Sequence, residues 1–162
     1  RHHPNAVPVC PMNDLRDLYQ EVIFDHNRSP RNFGLLEHPT HQAHGVNPLC
    51  GDELTVSLVL DKDGVIEDLR FEGRGCAIST ASASIMTETL KGLSVPEADR
   101  YFDAFHAMAT GQTPSQTDLP ALTKLEVLSG VRDYPARVKC ATLAWHTVRS
   151  ALHNASASVT TE

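Results

Sequence analysis

The sequence predicts an α+β fold, a small antiparallel sheet with helices packed on one face, of which periodicity itself shows two strands. Two observations carry this. The segment 53–60 alternates, with Leu54, Val56, Leu58 and Leu60 on one side and Thr55 and Ser57 on the other, and a second extended run, 65–72, returns after Asp61-Lys62-Asp63-Gly64. Around that hairpin stand segments whose apolar residues recur at helical spacing. A chain of 162 residues suffices for one domain with a substantial core and is too short for two ordinary ones, so a single domain over residues 12–153 is expected.

Residues 1–11 carry His2, His3, several prolines and Cys10 with no periodic pattern, and read as a disordered leader or an expression remnant ahead of Met12. Cys10 is left out of any site on that ground, although a flexible exposed thiol could oxidise or cross-link. Asn13 caps a first helix with Leu15, Leu18, Tyr19, Val22 and Ile23 on one face, and Ser29-Pro30 ends it. Asn32, Gly34, Pro39, Gly45 and Pro48 then make an irregular loop leading to Cys50, of the length that is usually functional or mobile.

After the hairpin, Gly73-Arg74-Gly75-Cys76 leads into a helix from about Ala77 to Lys91, stopped by Gly92. Ile78, Ala81, Ile85 and Met86 form its apolar face, and Ser79, Ser82, Ala83 and Ser84 keep it thin enough for close packing. Ser94-Val95-Pro96-Glu97 is a capping box for a helix running through Tyr101, Phe102, Phe105 and Met108 to about Gly111. Residues 113–117 are polar loop, and a short helix over 120–128 stops at Gly130. Pro135 opens a last helix carrying Val138, Ala141, Trp145, Val148 and Leu152, and residues 154–162 read as a frayed tail.

A net charge of −6 and a pI near 5.8 argue against nucleic-acid binding, which needs a basic surface against phosphates, and favour a basic protein partner or a small substrate. No apolar run is long enough for a bilayer and no leader has the form of a signal peptide, so the expected location is cytoplasmic. In that setting four cysteines point to thiols or metal ligands rather than to disulfides.

Three of those cysteines stand at turns or helix starts. Cys50 lies two residues before Asp52 with Gly51 between them, a spacing that lets a thiol and a carboxylate face one ion where neighbours on an extended strand would point apart. Cys76 sits at a strand-to-helix junction, where free N–H groups favour the thiolate, and Cys140 lies in the first turns of the last helix. Cys50, Asp52, Cys76 and Cys140 together make four candidate ligands, the number a tetrahedral zinc site asks for. Cys-Gly-Asp alone is a weak signal, because a single cysteine is more often a small buried hydrophobe. Three thiolates and a carboxylate around a dication leave net negative charge, so attendant cations are expected. Arg137 is the preferred one; Arg74 and Lys139 could equally be solvated helix-end charges. His38, His41 and His44 are read as loop residues, and His26, His106, His146 and His153 as rim or surface residues on helices.

The chain resembles the IscU-like iron–sulfur cluster assembly proteins, and within them the SufU type. The carriers are Asp17 to Asn32 (Asp-Leu-Tyr-Gln-Glu-Val-Ile-Phe-Asp-His … Ser-Pro-Arg-Asn), Asn47-Pro48-Leu49-Cys50-Gly51-Asp52, Gly75-Cys76-Ala77-Ile78-Ser79, and Arg137 to Trp145. Lys139 stands where IscU-like scaffolds have a histidine, Tyr134-Pro135-Ala136-Arg137 replaces their Leu-Pro-Pro-Val-Lys motif, and residues 96–128 look like the insertion of the SufU type. The resemblance implies a third strand, from the segment before Cys50. It implies a zinc site at Cys50, Asp52, Cys76 and Cys140, and a Cys50 that accepts persulfide sulfur from a SufS-type cysteine desulfurase for transfer to downstream cluster assembly proteins. Two other functions remain open: a scaffold on which a [2Fe–2S] cluster is built at the same residues, and a zinc-stabilised adaptor without sulfur chemistry.

Overall fold

A computed structural model of the chain describes residues 17–114, 118–153 and 156–160. The elements follow as α1 (Asp17–Arg28), β1 (His41–Asn47), β2 (Asp52–Leu60), β3 (Ile66–Arg74), α2 (Ala77–Leu90), α3 (Val95–Ala109), α4 (Leu122–Leu125), a 3-10 stretch (Glu126–Asp133), α5 (Pro135–His153) and β4 (Ser156–Thr160). The sheet order is β3-β2-β1-β4. Its first three strands are antiparallel neighbours, as expected, and α5 and α2 cover one face, with α1 against α2 and α3 against α5.

Leu54, Val56 and Leu58 of β2 and Leu69 and Phe71 of β3 point into the helices and are buried, so the alternation in sequence is the alternation of the sheet. The third strand lies within the segment that its glycines and prolines mark as irregular. His41–Asn47 has little intrinsic strand preference, but β2 offers it a full antiparallel ladder from His41↔Leu58 to Asn47↔Asp52. Gly45 admits α5: a Cβ there would strike the Thr147 hydroxyl and come within 3.1 Å of Leu143 Cδ1. The loop that carries Cys50 is therefore the four-residue tip, 48–51, of a β1–β2 hairpin, and not the end of a long irregular loop.

The expected frayed tail is corrected over 156–160, which runs parallel to β1 from Gln42↔Ser156 to Val46↔Thr160. Val159 and Thr160 are β-branched, and β1 would otherwise present an open row of main-chain groups, so an extended segment emerging from α5 finds partners there. The leader, Cys10 and the expected helix start at Asn13 lie outside the described residues. The helix expected over 120–128 is only one turn, and the chain continues past Gly130 as the 3-10 stretch to Asp133.

The helix layer is held by buried polar stitching as well as by apolar contact. Trp145 is fully buried, stacks on Phe105 with ring centroids 4.6 Å apart, and donates Nε1–H to Ser82 Oγ at 3.1 Å. Ser82 donates in turn to the Ala141 carbonyl, which ties α2 to α5. The expected capping box is present at Ser94, which accepts from Glu97 N–H at 3.3 Å while Glu97 accepts from Ser94 N–H at 3.2 Å. His26 is corrected from a rim residue to a buried one. Its Nδ1 lies 2.7 Å from Ser84 Oγ, which also accepts from the Arg31 N–H at 2.8 Å, so α1 and the turn after it are pinned to α2. The serines of α2 are thus anchors as well as space-savers.

Burial, reinforced by the Arg31 charge and opposed by Glu88 and Asp25, holds the His26 pKa below its ordinary 6.5. The unfolded chain then takes up this proton before the folded one does. The stability is complete above pH 6.5 and falls as pH drops below that value, by at most about 1.4 kcal/mol per pH unit for one proton. Denaturant midpoints at pH 7.5 and 5.5 check this: a His26→Asn variant, which cannot titrate there, should lose less between the two than the wild-type chain.

Candidate metal centre

The site lies where the β1–β2 hairpin meets the N-terminal ends of α2 and α5. Asn47 and Asp52 are cross-strand partners closing the hairpin, and Pro48-Leu49-Cys50-Gly51 forms its tip. The tip turns back through a 3.3 Å hydrogen bond from Cys50 N–H to the Asn47 carbonyl, and Gly51 takes the left-handed φ of 73° that such a turn needs. Cys50 is half-buried, and the side chain of Leu49 before it is exposed.

Cys50, Asp52 and Cys140 offer donor atoms that all lie within 4.8 Å of one another. The Cys140 thiol donates to Cys50 Sγ at 2.8 Å, and Cys50 Sγ lies 4.0 Å from the Ala136 carbonyl. Cys140 is fully buried on the second turn of α5. Cys76 is the N-cap of α2, and its sulfur accepts from Ser79 N–H at 3.4 Å while its own N–H donates to Asp52 Oδ1 at 2.8 Å. Three of the four expected ligands therefore converge directly, and the fourth is joined to them through Asp52, its sulfur turned toward its own helix.

Asp52 is the buried centre of this arrangement. Burial, and after it the charge on Cys76, push its carboxyl above the usual carboxylate range, while hydrogen bonds from Cys76 N–H, the Cys140 thiol and the Asn47 amide pull the other way. A carboxylate and thiols packed so closely repel one another when ionised, and a cation among them removes that repulsion. The donor set suits a thiophilic dication such as zinc, with Cys50, Asp52 and Cys140 placed to ligate and Cys76 beside them.

Arg137 is buried in the first turn of α5, on the same helical face as Cys140 three residues on, with its guanidinium 4.8 Å above the Tyr134 ring. Arg74 pairs with Glu53 at 3.3 Å and is largely exposed, the solvated alternative left open for it by the sequence. His44 also pairs with Glu53, at 3.1 Å, and none of the histidines belongs to the converging group among the described residues. Two contributors were not singled out from sequence. Asn47 is fully buried and donates Nδ2–H to Asp52 Oδ2 at 3.1 Å and toward Cys140 Sγ at 3.6 Å. Gly75 leaves the space for Asp52, since a Cβ there would lie 2.5 Å from Oδ1 and 3.1 Å from Cγ. Their signal in the sequence is membership of the two cysteine-bearing motifs, Asn47 to Asp52 and Gly75 to Ser79; their contacts with Asp52 emerge only in the fold.

Fold and site together define a small α+β domain that presents thiols and a carboxylate at one end of its sheet. Comparison with known proteins gives the family: residues 18–161 match the NifU-like N-terminal domain, and the chain belongs to that family. It is 42% identical over 132 residues to the zinc-dependent sulfurtransferase SufU of Bacillus subtilis, spanning 82% of this chain and 87% of that protein. It is 39% identical over 142 residues to the iron–sulfur cluster assembly scaffold protein IscU of Streptococcus pyogenes, spanning 87% of this chain and 86% of that one. The crystal structure of the N-terminal part of a nitrogen-fixing NifU-like protein from Brucella abortus superposes with a TM-score of 0.76 at 28% identity, covering 88% of this chain and 96% of the other. The SufU/IscU-like family read from the motifs is therefore the right one. Among the described residues no helix is long and apolar enough to cross a membrane.

Gly75→Ala should displace the Asp52 carboxylate and weaken Zn2+ binding by roughly tenfold or more, as loss of ligand orientation does elsewhere. Competition against a chromophoric chelator measures this. An unchanged affinity would mean that Asp52 does not depend on that close approach.

Proposed function

We propose that this protein is a zinc-dependent sulfur acceptor for iron–sulfur cluster assembly, taking persulfide sulfur from a cysteine desulfurase of the SufS type. The carrying observation is the contrast among three thiols. Cys140 is fully buried, and of the two half-buried thiols Cys76 caps the start of α2 whereas Cys50 stands on the tip of a hairpin. Membership of a family that includes the B. subtilis sulfurtransferase supports the same reading.

Zinc held by Cys50, Asp52, Cys76 and Cys140 would supply positive charge that keeps the thiols ionised at neutral pH. The residues of the chain do the rest. Asp52 and Cys140, on β2 and in α5, stay with the packed body of the domain, and Arg137 places a fixed positive charge one helical turn before Cys140. Cys50 is on the four-residue tip between β1 and β2, which belongs to neither a helix nor a strand. In the transfer, the Cys50 thiolate attacks the outer sulfur of the desulfurase persulfide. A new S–S bond forms at Cys50 Sγ, the old one breaks, and the desulfurase cysteine departs as thiolate, with no net oxidation.

Cys50→Ala should abolish stimulation of the desulfurase and remove the sulfane adduct seen by mass spectrometry after incubation with desulfurase and cysteine. Undiminished stimulation would sink the assignment. A protein that stimulates the enzyme but never gains sulfur would be an adaptor.

The second reading is a scaffold on which a [2Fe–2S] cluster is assembled at the same residues, favoured by the similar identity to the S. pyogenes IscU. Lys139, half-buried beside Cys140, weighs against it, because an ammonium is a poor iron ligand. Metal analysis and a visible spectrum of aerobically purified protein separate the two. One zinc per chain without colour is the expected result, and a brown iron-loaded protein would favour the scaffold.

A further inference from the structure

Asn47 occupies a position that the ligand set alone does not explain. It is a fully buried amide, directly across the hairpin from Asp52, with Nδ2 3.1 Å from Asp52 Oδ2 and 3.6 Å from Cys140 Sγ. Its Oδ1 is buried and finds no hydrogen-bond donor among the described residues. A buried amide that leaves its oxygen unsatisfied is held there by its nitrogen. Rotating the amide by half a turn would set Oδ1 against a carboxylate and a sulfur, both acceptors when ionised, so the orientation is dictated by the two site residues.

We infer that Asn47 is a positioning residue for the metal site. Its single NH2 group spans β2 and α5, and so sets the separation of Asp52 and Cys140 independently of Cys50. The inference rests on the reading of these residues as zinc ligands, and it adds a division of labour within them. With Asp52 and Cys140 clamped to a common donor, two ligands keep their places when the hairpin tip carrying Cys50 swings out. Hydrogen-bond donation to the Cys140 sulfur also supports its thiolate during the interval in which Cys50 is engaged elsewhere. The backbone of Asn47 contributes as well, since its carbonyl accepts from Cys50 N–H and fixes where the tip begins. The side chain therefore organises the resident ligands and the main chain sets the hinge of the departing one.

The test compares the wild-type chain with Asn47→Ala, which removes the amide, and Asn47→Asp, which keeps its volume but cannot donate when ionised. Zn2+ affinity is read by chelator competition, Co2+ substitution reports ligand geometry through its visible d–d bands, and thermal melting is followed with and without Zn2+. Both variants should bind Zn2+ at least tenfold more weakly and shift the Co2+ bands, and the melting increment on adding Zn2+ should shrink. Zn2+ affinity and Co2+ bands that are unchanged in Asn47→Asp would overturn the inference, because volume alone would then suffice. Equal loss of melting temperature with and without metal, at unchanged affinity, would also overturn it, by showing a purely structural role. If Asn47→Ala does not fold, the isosteric Asn47→Asp decides. The sulfur-transfer reading stands or falls separately: absence of a persulfide on Cys50 of the wild-type chain would defeat it while leaving these metal measurements intact.

Discussion

The buried carboxylate of Asp52 is the constraint on which the rest of the site depends. It sits at the first residue of β2, accepts from the backbone of Cys76 at the start of α2, and accepts from Asn47 at the last residue of β1. A carboxylate removed from water is costly unless its oxygens are satisfied, and burial here does push Asp52 toward its neutral form. The fold answers with convergent donors, and with a glycine at position 75 where any side chain would collide with the carboxylate. One acidic group thereby fixes the relative placement of a hairpin and a helix start, and the thiols of Cys50 and Cys76 ride on those two elements.

Behind this front the helix layer is stitched together by polar contacts inside an apolar core. Trp145 fills the space between α5 and α3 and reaches Ser82 on α2, and His26 joins α1 to Ser84 on the same helix. Such contacts are directional, unlike apolar burial, so they fix how the helices sit along and around one another. That matters for Cys140, which has no freedom of its own: it is fully buried, and its sulfur lies wherever α5 lies. The result is a graded site, with Cys140 rigid, Asp52 clamped, Cys76 tied to a helix end, and Cys50 on a short exposed tip. The sulfur-acceptor role proposed for this protein calls for that gradation, because ligands of equal rigidity would either all hold or all let go.

Much of this was legible in the sequence. The hairpin over 53–72, the capping box at Ser94 and the proline start of α5 follow from local periodicity and backbone chemistry, and each appears where local rules place it. The cysteines and Asp52 were found because thiols at turns and helix starts are chemically conspicuous. The strand His41–Asn47 was implied by the family resemblance but hidden from local periodicity by its own glycine and weak strand formers, and it exists because β2 and α5 supply its partners. The strand at 156–160 was hidden for the same reason, since an open sheet edge belongs to the fold and not to the segment that pairs with it. His26 looked like a surface residue because helical periodicity places it without saying what lies opposite.

By itself the sequence determined which residues could do chemistry and which segments could be helix or strand, because residue type and spacing act over a few positions along the chain. Only the tertiary structure decided that the thiol-bearing loop is a tight hairpin tip, that Cys140 is sealed in the core while Cys50 is accessible, and that Asn47 and Gly75 shape the site. Apart from the hairpin itself, these properties arise between segments far apart in the chain, where close approach and shared hydrogen bonds leave no periodic trace in either partner.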